Sequence, residues 1–511
     1  MLKKNYAVDF TILFVVATTA ILLSLTTKTI ESFDEGLYSS TTLNMVEHGE
    51  YLYPITKDGE FFSWYGKPSL VNWLQIASIK IFGWNVFALR LPTALGLVAL
   101  ILFIWASGVA FAGRFFGALT ASLVLLSSAM LDMGSRVWLE DLVAPLYAAG
   151  LLLYAYGFAK QGRARWFSLS TAGIAFGLAI LAKQSFALMA PTAIFISELI
   201  QRRPGWLKRL FVVGIITLAV SVWWFLATFN IVGEKAIESW VGYHIISRFT
   251  HVLENHTRLP NAYSETLNKY LGILPWAFGA FGWALLWRKL TSVFTKQLYI
   301  SWSALFVLQY LVVGVFIKTY LAWYQVVIML PLFIGTAYII LKIWQEGQPA
   351  WIKWIIPAAV ITYLGLPLRL DGVSLLAIMT VAALLINKYY NLEQWRKYFN
   401  PITCIILAGG IGIVGGNPMR RWDWRDKIAK QVGFNSEVTV IGDKGCWYAW
   451  RCYLPQANLY EWPGSCQKVE SMIASAPMFV LEDRAMECQI PNTEAIKTFN
   501  RAVLLKRSDI K

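Results

Sequence analysis

Two adjacent carboxylates, Asp34 and Glu35, open the stretch "DEGLYSSTTLNMVEHGEYLY", only a few residues beyond a membrane-length apolar run. Solvated flanks of such runs often carry charge, so a polar cap is the bland reading. Other polar residues between apolar runs set a chemical one beside it. Tyr38 follows the pair, and Lys67 and Pro68 sit in "WYGKPSLVNWL". Arg136 and Asp141 lie in "SRVWLED", and Lys318, Trp323 and Tyr324 in "KTYLAWY". Lys183, His244, Arg248, His251, His256 and Arg258 complete the set. A carboxylate can take the proton of an attacking hydroxyl, and fixed cations can hold a departing phosphate. Aromatic residues can stack on a sugar ring. That combination suits transfer of a glycosyl group from a phosphate-bearing lipid. Asp34 is the preferred base, with Glu35 also a candidate catalytic carboxylate or one that fixes the loop. Lys67, Arg136 and Lys318 are the candidate phosphate partners. Tyr38, Asp141, Tyr324, His244 and Arg248 are candidates for the surrounding pocket.

The elements that must position these groups follow from composition. The 511 residues are 57% hydrophobic and 15% charged, which describes a polytopic membrane protein. The 24 Trp gather near the ends of apolar runs, as interfacial belts require. A net charge of +15 does not point to nucleic acid, because the basic residues fall in short loops between runs. Runs of roughly 17–25 residues can span a bilayer. Thirteen candidates lie near 9–28, 86–110, 115–132, 140–158, 167–183, 186–201, 210–229, 269–287, 297–317, 320–341, 352–368, 372–387 and 400–416. With Lys3 and Lys4 in the cytoplasm, alternate connections are basic, as the positive-inside rule asks. The first run is expected to remain as an uncleaved span. Residues 29–85, 230–268 and the tail then lie outside, and so do the candidate site residues. Within 29–85, Trp64, Tyr65, Leu70 and Trp73 suit an amphipathic interfacial helix.

The chain therefore reads as an all-α membrane portion, 1–416, followed by a small α/β extracytoplasmic domain, 417–511. Strand-like runs at 437–442, 478–483 and 502–507 alternate with helix-like stretches at 424–432 and 467–474. Cys446, Cys452, Cys466 and Cys488 fall in this tail without CxxC spacing, so disulfides are expected over zinc, in any of three connectivities. The run Gly410 to Gly415 matches GxGxxG but lies inside an apolar span, so close helix packing is its reading.

These pieces resemble the GT-C membrane glycosyltransferases, in the branch of lipid A aminoarabinose transferases and protein O-mannosyltransferases. The resemblance rests on "FDEGLYSSTTLNMVEHGEYLYP", "GKPSLVNWLQIASIKIFGWNVFALRLPTALG", "SRVWLEDLVAPLY", "GLAILAKQSFALMAP", "ILPW" and "KTYLAWYQVVIMLP", in family order. It implies Asp34 as catalytic carboxylate of an inverting transfer, Lys67 on donor phosphate, and roles for Arg136, Asp141, Lys318 and Tyr324. It implies an undecaprenyl phosphate-linked sugar as donor, a lipid, glycan or protein acceptor, and residence in a bacterial inner membrane. The sequence departs from the aminoarabinose transferases at Leu37, Gly66 and Gln184-Ser185. It therefore leaves the sugar, the acceptor and any need for a divalent cation open.

Two rival classes are a lipid-linked sugar flippase and a sensor with a ligand-binding tail. A transporter of that kind is expected to show internal repeats or midplane charges. A sensor would leave the acidic pair without a task. Acceptor choice is expected in the loop 230–268 and the tail.

Overall fold

The structure is a computed structural model. It describes residues 2–25, 30, 34–253, 273–319, 324, 326–345 and, near the C-terminus, 424–432, 438–442, 446–454, 457–474, 476, 478–499 and 502–507. The candidate spans 352–368, 372–387 and 400–416 lie outside the described residues, as do His256, Arg258, Trp323 and Cys404.

The other ten apolar runs coincide with helices to within a few residues. In chain order these helices, with two from the first outer loop, are α1 (Leu2–Ser24), α2 (Asp34–His48), α3 (Leu70–Phe82), α4 (Val86–Ala112) and α5 (Arg114–Leu126). They continue as α6 (Ser128–Gly134), α7 (Glu140–Ala159), α8 (Gly162–Lys183), α9 (Met189–Gln201) and α10 (Trp206–Val232). After a π-helical segment, Glu238–Ser247, come α11 (Ile273–Leu286), α12 (Val293–Leu311) and α13 (Val326–Gln345). Five segments among the described residues are long and apolar enough to cross a membrane by length and composition, and α1, α3, α5 and α13 contain shorter apolar stretches.

The run from 162 to 201 is apolar enough over part of its length to read as one long membrane segment. It nevertheless reverses at Gln184, whose φ of 44° and ψ of −129° end α8. Lys183 pairs with Glu140 at the first residue of α7, whereas Glu198 accepts from Tyr154 near the last turn of α7. Helix α9 therefore returns along α7. Each end of the bundle is tied by charge. At the end away from the acidic motif, Arg114 bonds Asp9 across α5 and α1 through two contacts of 2.6 Å. At that same end Arg209 forks onto Glu198 at 2.6 and 2.7 Å. Helices α11 and α13 meet through Gly279, Gly282 and Gly335, where a Cβ would fall 1.9–2.6 Å from facing backbone.

Helix α2 is buried almost all round, from Glu35 to Met45. Its hydroxyls bond their own helix, Thr41 to the Leu37 carbonyl at 2.8 Å and Thr42 to that of Tyr38 at 3.2 Å. Thr42 also donates to Gln75 at 2.6 Å and accepts from Asn72 at 2.8 Å, while Gln75 donates to the Leu89 carbonyl at 3.0 Å. The polar face of α3 thus fastens α2 to α4, and its apolar residues Leu74, Ile81 and Phe82 point outward.

The tail is a five-stranded sheet in the order β2-β1-β3-β5-β4. Its strands are β1 (Thr439–Gly442), β2 (Asn458–Glu461), β3 (Met478–Glu482), β4 (Thr493–Phe499) and β5 (Ala502–Arg507). The first three are mutually parallel, and β3, β5 and β4 pair antiparallel. Helices α14 (Trp424–Val432), α15 (Cys446–Tyr453) and α16 (Cys466–Met472) flank it. Strands β2 and β4 are short or exposed and polar, so the continuous apolar runs that mark β1, β3 and β5 do not mark them. Cys466 and Cys488 form a disulfide. The expectation that all four tail cysteines pair is corrected at Cys452, which is a buried, unbridged thiol donating to the Tyr448 carbonyl at 3.5 Å. Its place in the apolar cluster of Ile428, Trp450 and Tyr453 separates it from the cluster that holds Cys466 and Cys488. The Cys446 side chain lies outside the described residues.

Candidate active site

Asp34 and Glu35 are successive residues at the start of α2, so their side chains diverge by about 100°. Glu35 turns inward and is fully buried. Arg90 grips it with Nε on Oε1 at 2.6 Å and Nη2 on Oε2 at 3.0 Å. The Val137 amide adds 3.2 Å to Oε1, and Arg136 Nη1 stands 3.9 Å from Oε2. Arg90 also donates to the Leu25 carbonyl at 2.6 Å, closing the end of α1. Both members of the Arg90 pair are saturated, as a buried ion pair requires.

Asp34 turns the other way, into a cleft lined by Leu37, Tyr38, Trp64, Tyr65, Lys67, Lys183, Tyr243, His244, Arg248 and Tyr324. The helix N-terminus beneath it favours a negative charge. Lys67 reaches in from the loop before α3. Its Nζ donates to Tyr38 Oη at 3.1 Å and stands 4.8 and 5.1 Å from the ring centres of Tyr38 and Tyr65. Burial, then the charge of Lys183, lower the Lys67 ammonium to about 7, against the opposing pull of Asp34. Burial foremost, and Asp34 after it, push the Tyr38 and Tyr65 phenols upward, so both stay protonated near neutrality.

The turn that aims Lys67 depends on Gly66. Its φ is +42°, and a Cβ there would fall 1.8 Å from Ser239 Oγ. The Gly66 carbonyl accepts from Gln184, which joins this turn to the reversal after α8. The π-helical segment supplies the opposite wall. His244 Nε2 donates to the Tyr65 carbonyl at 2.7 Å. Burial, then Lys67 and Arg248, hold His244 well below the usual imidazole range, so the ring is neutral and positions Tyr65. Arg248 is 8% exposed and donates to Tyr324 Oη at 3.4 Å. Lys183 pairs with Glu140 and lies 4.0 Å from the centre of the Tyr324 ring.

Asp34, Tyr38, Lys67, His244, Arg248 and Tyr324 are therefore brought to one cleft. Glu35 and Arg136 lie behind it. Asp141 is buried at the start of α7, with its backbone against Gly96. Lys318 is exposed, and its amide donates to the Arg248 carbonyl at 3.0 Å. Sequence reasoning missed Arg90 and Glu140 and gave Lys183 no assigned role. Arg90 is a charge inside an apolar helix, and that rarity is the signal that asks for a partner. Trp64 and Tyr65 were expected at the membrane interface, whereas they line the cleft together with Tyr243. Trp64 and Tyr243 stand edge to face with centroids 6.4 Å apart.

The cleft gathers three cationic side chains and a single carboxylate from the described residues. That donor set attracts an anion. It does not suit a divalent cation, and among the described residues no three His, Cys, Asp or Glu side chains converge.

Residues 66–226 match the family model of the dolichyl-phosphate-mannose-protein mannosyltransferases. The chain is 26% identical over 293 residues to the undecaprenyl phosphate-alpha-4-amino-4-deoxy-L-arabinose arabinosyl transferase of Shewanella sediminis, covering 54% of this chain and 50% of that one. The enzyme of the same name from Pectobacterium atrosepticum is 26% identical over 226 residues, 43% of this chain and 39% of its own. The chain thus spans about half the length of the curated relatives it matches. The crystal structure of ArnT from Cupriavidus metallidurans bound to undecaprenyl phosphate superposes with a TM-score of 0.71 at 16% identity, over 98% of both chains. The Archaeoglobus fulgidus oligosaccharyltransferase follows with a TM-score of 0.50 at 13% identity, over 93% of this chain and 69% of that one. The chain shares its fold with the first of these, and the resemblance to the aminoarabinose transferase and protein mannosyltransferase branch of GT-C glycosyltransferases holds.

Proposed function

We propose that the protein is an inverting glycosyltransferase of a bacterial inner membrane, moving a sugar from a polyprenyl phosphate carrier to an acceptor hydroxyl at the outer face. The carrying observation is the cleft itself: Asp34 opposite Lys67, Lys183 and Arg248, with aromatic side chains between them. The matches to undecaprenyl phosphate-dependent relatives support the same donor class. In this reading residues 1–416 form the membrane portion, with the N-terminus cytoplasmic and residues 417–511 outside.

The chemistry balances without a cofactor. The acceptor oxygen attacks the anomeric carbon while its proton passes to Asp34. The bond between that carbon and the phosphate oxygen breaks, and the electron pair leaves with the phosphate. Lys67 and Arg248 hold the released charge, and Lys183 adds a field already shared with Glu140. Preorganised cations of this kind act strongly because the site is largely dry. Tyr38 and Tyr324 orient Lys67 and Arg248 through their hydroxyls, and the Trp64–Tyr243 wall suits a pyranose face. Glu35 is reassigned from catalysis to positioning, because Arg90 occupies both its oxygens. Arg136 then serves Glu35 more directly than it serves phosphate, and Lys318 braces the Arg248 backbone.

Sealed proteoliposomes separate this reading from a flippase. With a panel of undecaprenyl phosphate-linked sugars and outer-face acceptors, transfer releases undecaprenyl phosphate in step with glycosylated acceptor. Movement of intact donor across the bilayer without cleavage overturns the proposal.

A further inference from the structure

The tail meets the membrane portion at the helix that carries Asp34. Ile30, four residues before Asp34, is buried and has both backbone groups held by the tail. Its amide donates to Tyr453 Oη at 2.9 Å, and its carbonyl accepts from Arg425 Nη1 at 2.6 Å. Arg425 is fixed in turn by the buried Glu482 at the end of β3, whose second oxygen accepts from Trp450 Nε1. At the far end of α2, Arg451 pairs with Glu47. Between α3 and α4, Trp84 Nε1 donates to the Cys452 carbonyl at 2.8 Å. Ile30 and Leu89 share one apolar cluster with Ile428, Ala429, Trp450 and Tyr453.

From this geometry we infer that the tail is a clamp that positions Asp34, with Arg451 paired to Glu47 near the C-terminal end of α2 and Tyr453 and Arg425 holding Ile30, four residues before its first residue. The inference rests on the proposed function for what Asp34 does, but the clamp itself is a statement about α2. Helix α2 begins without a covalent brace, and Glu35 secures one side of its first turn to Arg90. The tail holds Ile30, four residues upstream of that turn. A carboxylate misplaced by about 1 Å can lose on the order of a hundredfold in rate while substrate binding survives. Lys183, at the end of α8, and Arg248, just after the π-helical segment, stand on other elements, and of the three cations only Lys67 leans on α2, through Tyr38, so loosening α2 disturbs the phosphate site far less than it displaces Asp34.

Two variants of the full chain test this. Tyr453→Phe removes the hydroxyl that receives the Ile30 amide. Arg451→Glu reverses one partner of the Glu47 pair, and Glu47→Arg in the same chain restores it in mirror form. Hydrogen exchange of amides 34–40 is read with the purified protein in detergent micelles. Undecaprenyl phosphate binding is read by tryptophan fluorescence, and kcat with the donor that wild type consumes. The expected result is faster exchange and a kcat lowered roughly tenfold or more in Tyr453→Phe and Arg451→Glu. Undecaprenyl phosphate Kd stays within about twofold, and kcat and exchange recover in the double swap. Unchanged exchange at 34–40 in both single variants overturns the clamp, as does a Kd that weakens in parallel with kcat. If wild type consumes no donor, the proposed function fails, and the exchange measurement still decides the clamp.

Discussion

Lys67 is a cation whose charge near neutrality depends on what occupies the cleft. Burial and Lys183 bring its ammonium to about 7. A donor phosphodiester placed against it supplies a fixed negative charge and draws that value back up. Below pH 7 Lys67 is protonated before and after binding, so affinity is flat. Above pH 7 the empty protein sheds the proton, and binding must take one up. Affinity therefore falls as pH rises, by a factor that approaches ten per unit. Between pH 7 and pH 9 the loss is about fifty-fold, equivalent to ~2.3 kcal/mol, provided the bound form stays protonated to pH 9. The probe is a prenyl phosphate methyl ester, a diester with one constant charge across this range, titrated by tryptophan fluorescence and calorimetry. Calorimetry in buffers of different ionisation enthalpy reports about one proton taken up per ligand at pH 9 and about half at pH 7. Lys67→Arg keeps its charge throughout and flattens the profile. A wild-type Kd constant from pH 6 to 9, or no proton uptake, refutes the reasoning.

Further outcomes follow from particular contacts. Glu35→Gln leaves Arg90 buried against a neutral amide, which is expected to cost about 3–5 kcal/mol and lower the thermal midpoint in detergent; an unchanged midpoint contradicts the buried-pair account. Gly66→Ala must hold a left-handed backbone at a cost of about 1–2 kcal/mol and drive against Ser239. Donor binding should weaken, with partial recovery when Ser239→Gly is added; tight binding by the single variant argues against the turn as the device aiming Lys67. Mass spectrometry of unreduced tryptic peptides should show one bridge, Cys466 to Cys488, and a Cys452 thiol that reacts with maleimide only after unfolding. Replacing both bridged residues by Ser should destabilise the tail by about 3 kcal/mol.

Much of this arrangement was legible in the sequence because membrane chemistry leaves plain marks. Ten of the apolar runs mark described helices, and polar residues near the ends of such runs named most of the cleft. Asp34, Tyr38, Lys67, His244, Arg248 and Tyr324 come from four separate segments, yet each lies in a polar stretch between or at the ends of apolar runs. What was not legible depends on side-chain direction. The roles of Asp34 and Glu35 divide only once residue 34 is known to begin a helix, since in a loop either could face the cleft. Lys183 has no assigned role in the sequence until the reversal at Gln184 turns it toward Glu140 and Tyr324. His244 reads as a pocket candidate, but only the π-helical segment shows that it is buried against the Tyr65 carbonyl as a neutral positioning ring. The tail's three marked strands were visible as short continuous apolar runs, while β2 and β4 take their place from pairing alone. Its docking on Ile30 and Glu47 joins residues some four hundred apart, a contact that no local pattern records.

The central claim is that the Asp34 carboxylate removes the acceptor proton while fixed cations take the phosphate. Asp34→Asn keeps size and hydrogen bonding but cannot serve as that base. Single-turnover transfer by purified Asp34→Asn, with donor Kd measured alongside, is the direct test. The account predicts a rate reduced by about a thousandfold or more with donor Kd within a few-fold of wild type. Transfer within tenfold of wild type, with donor bound normally, contradicts it.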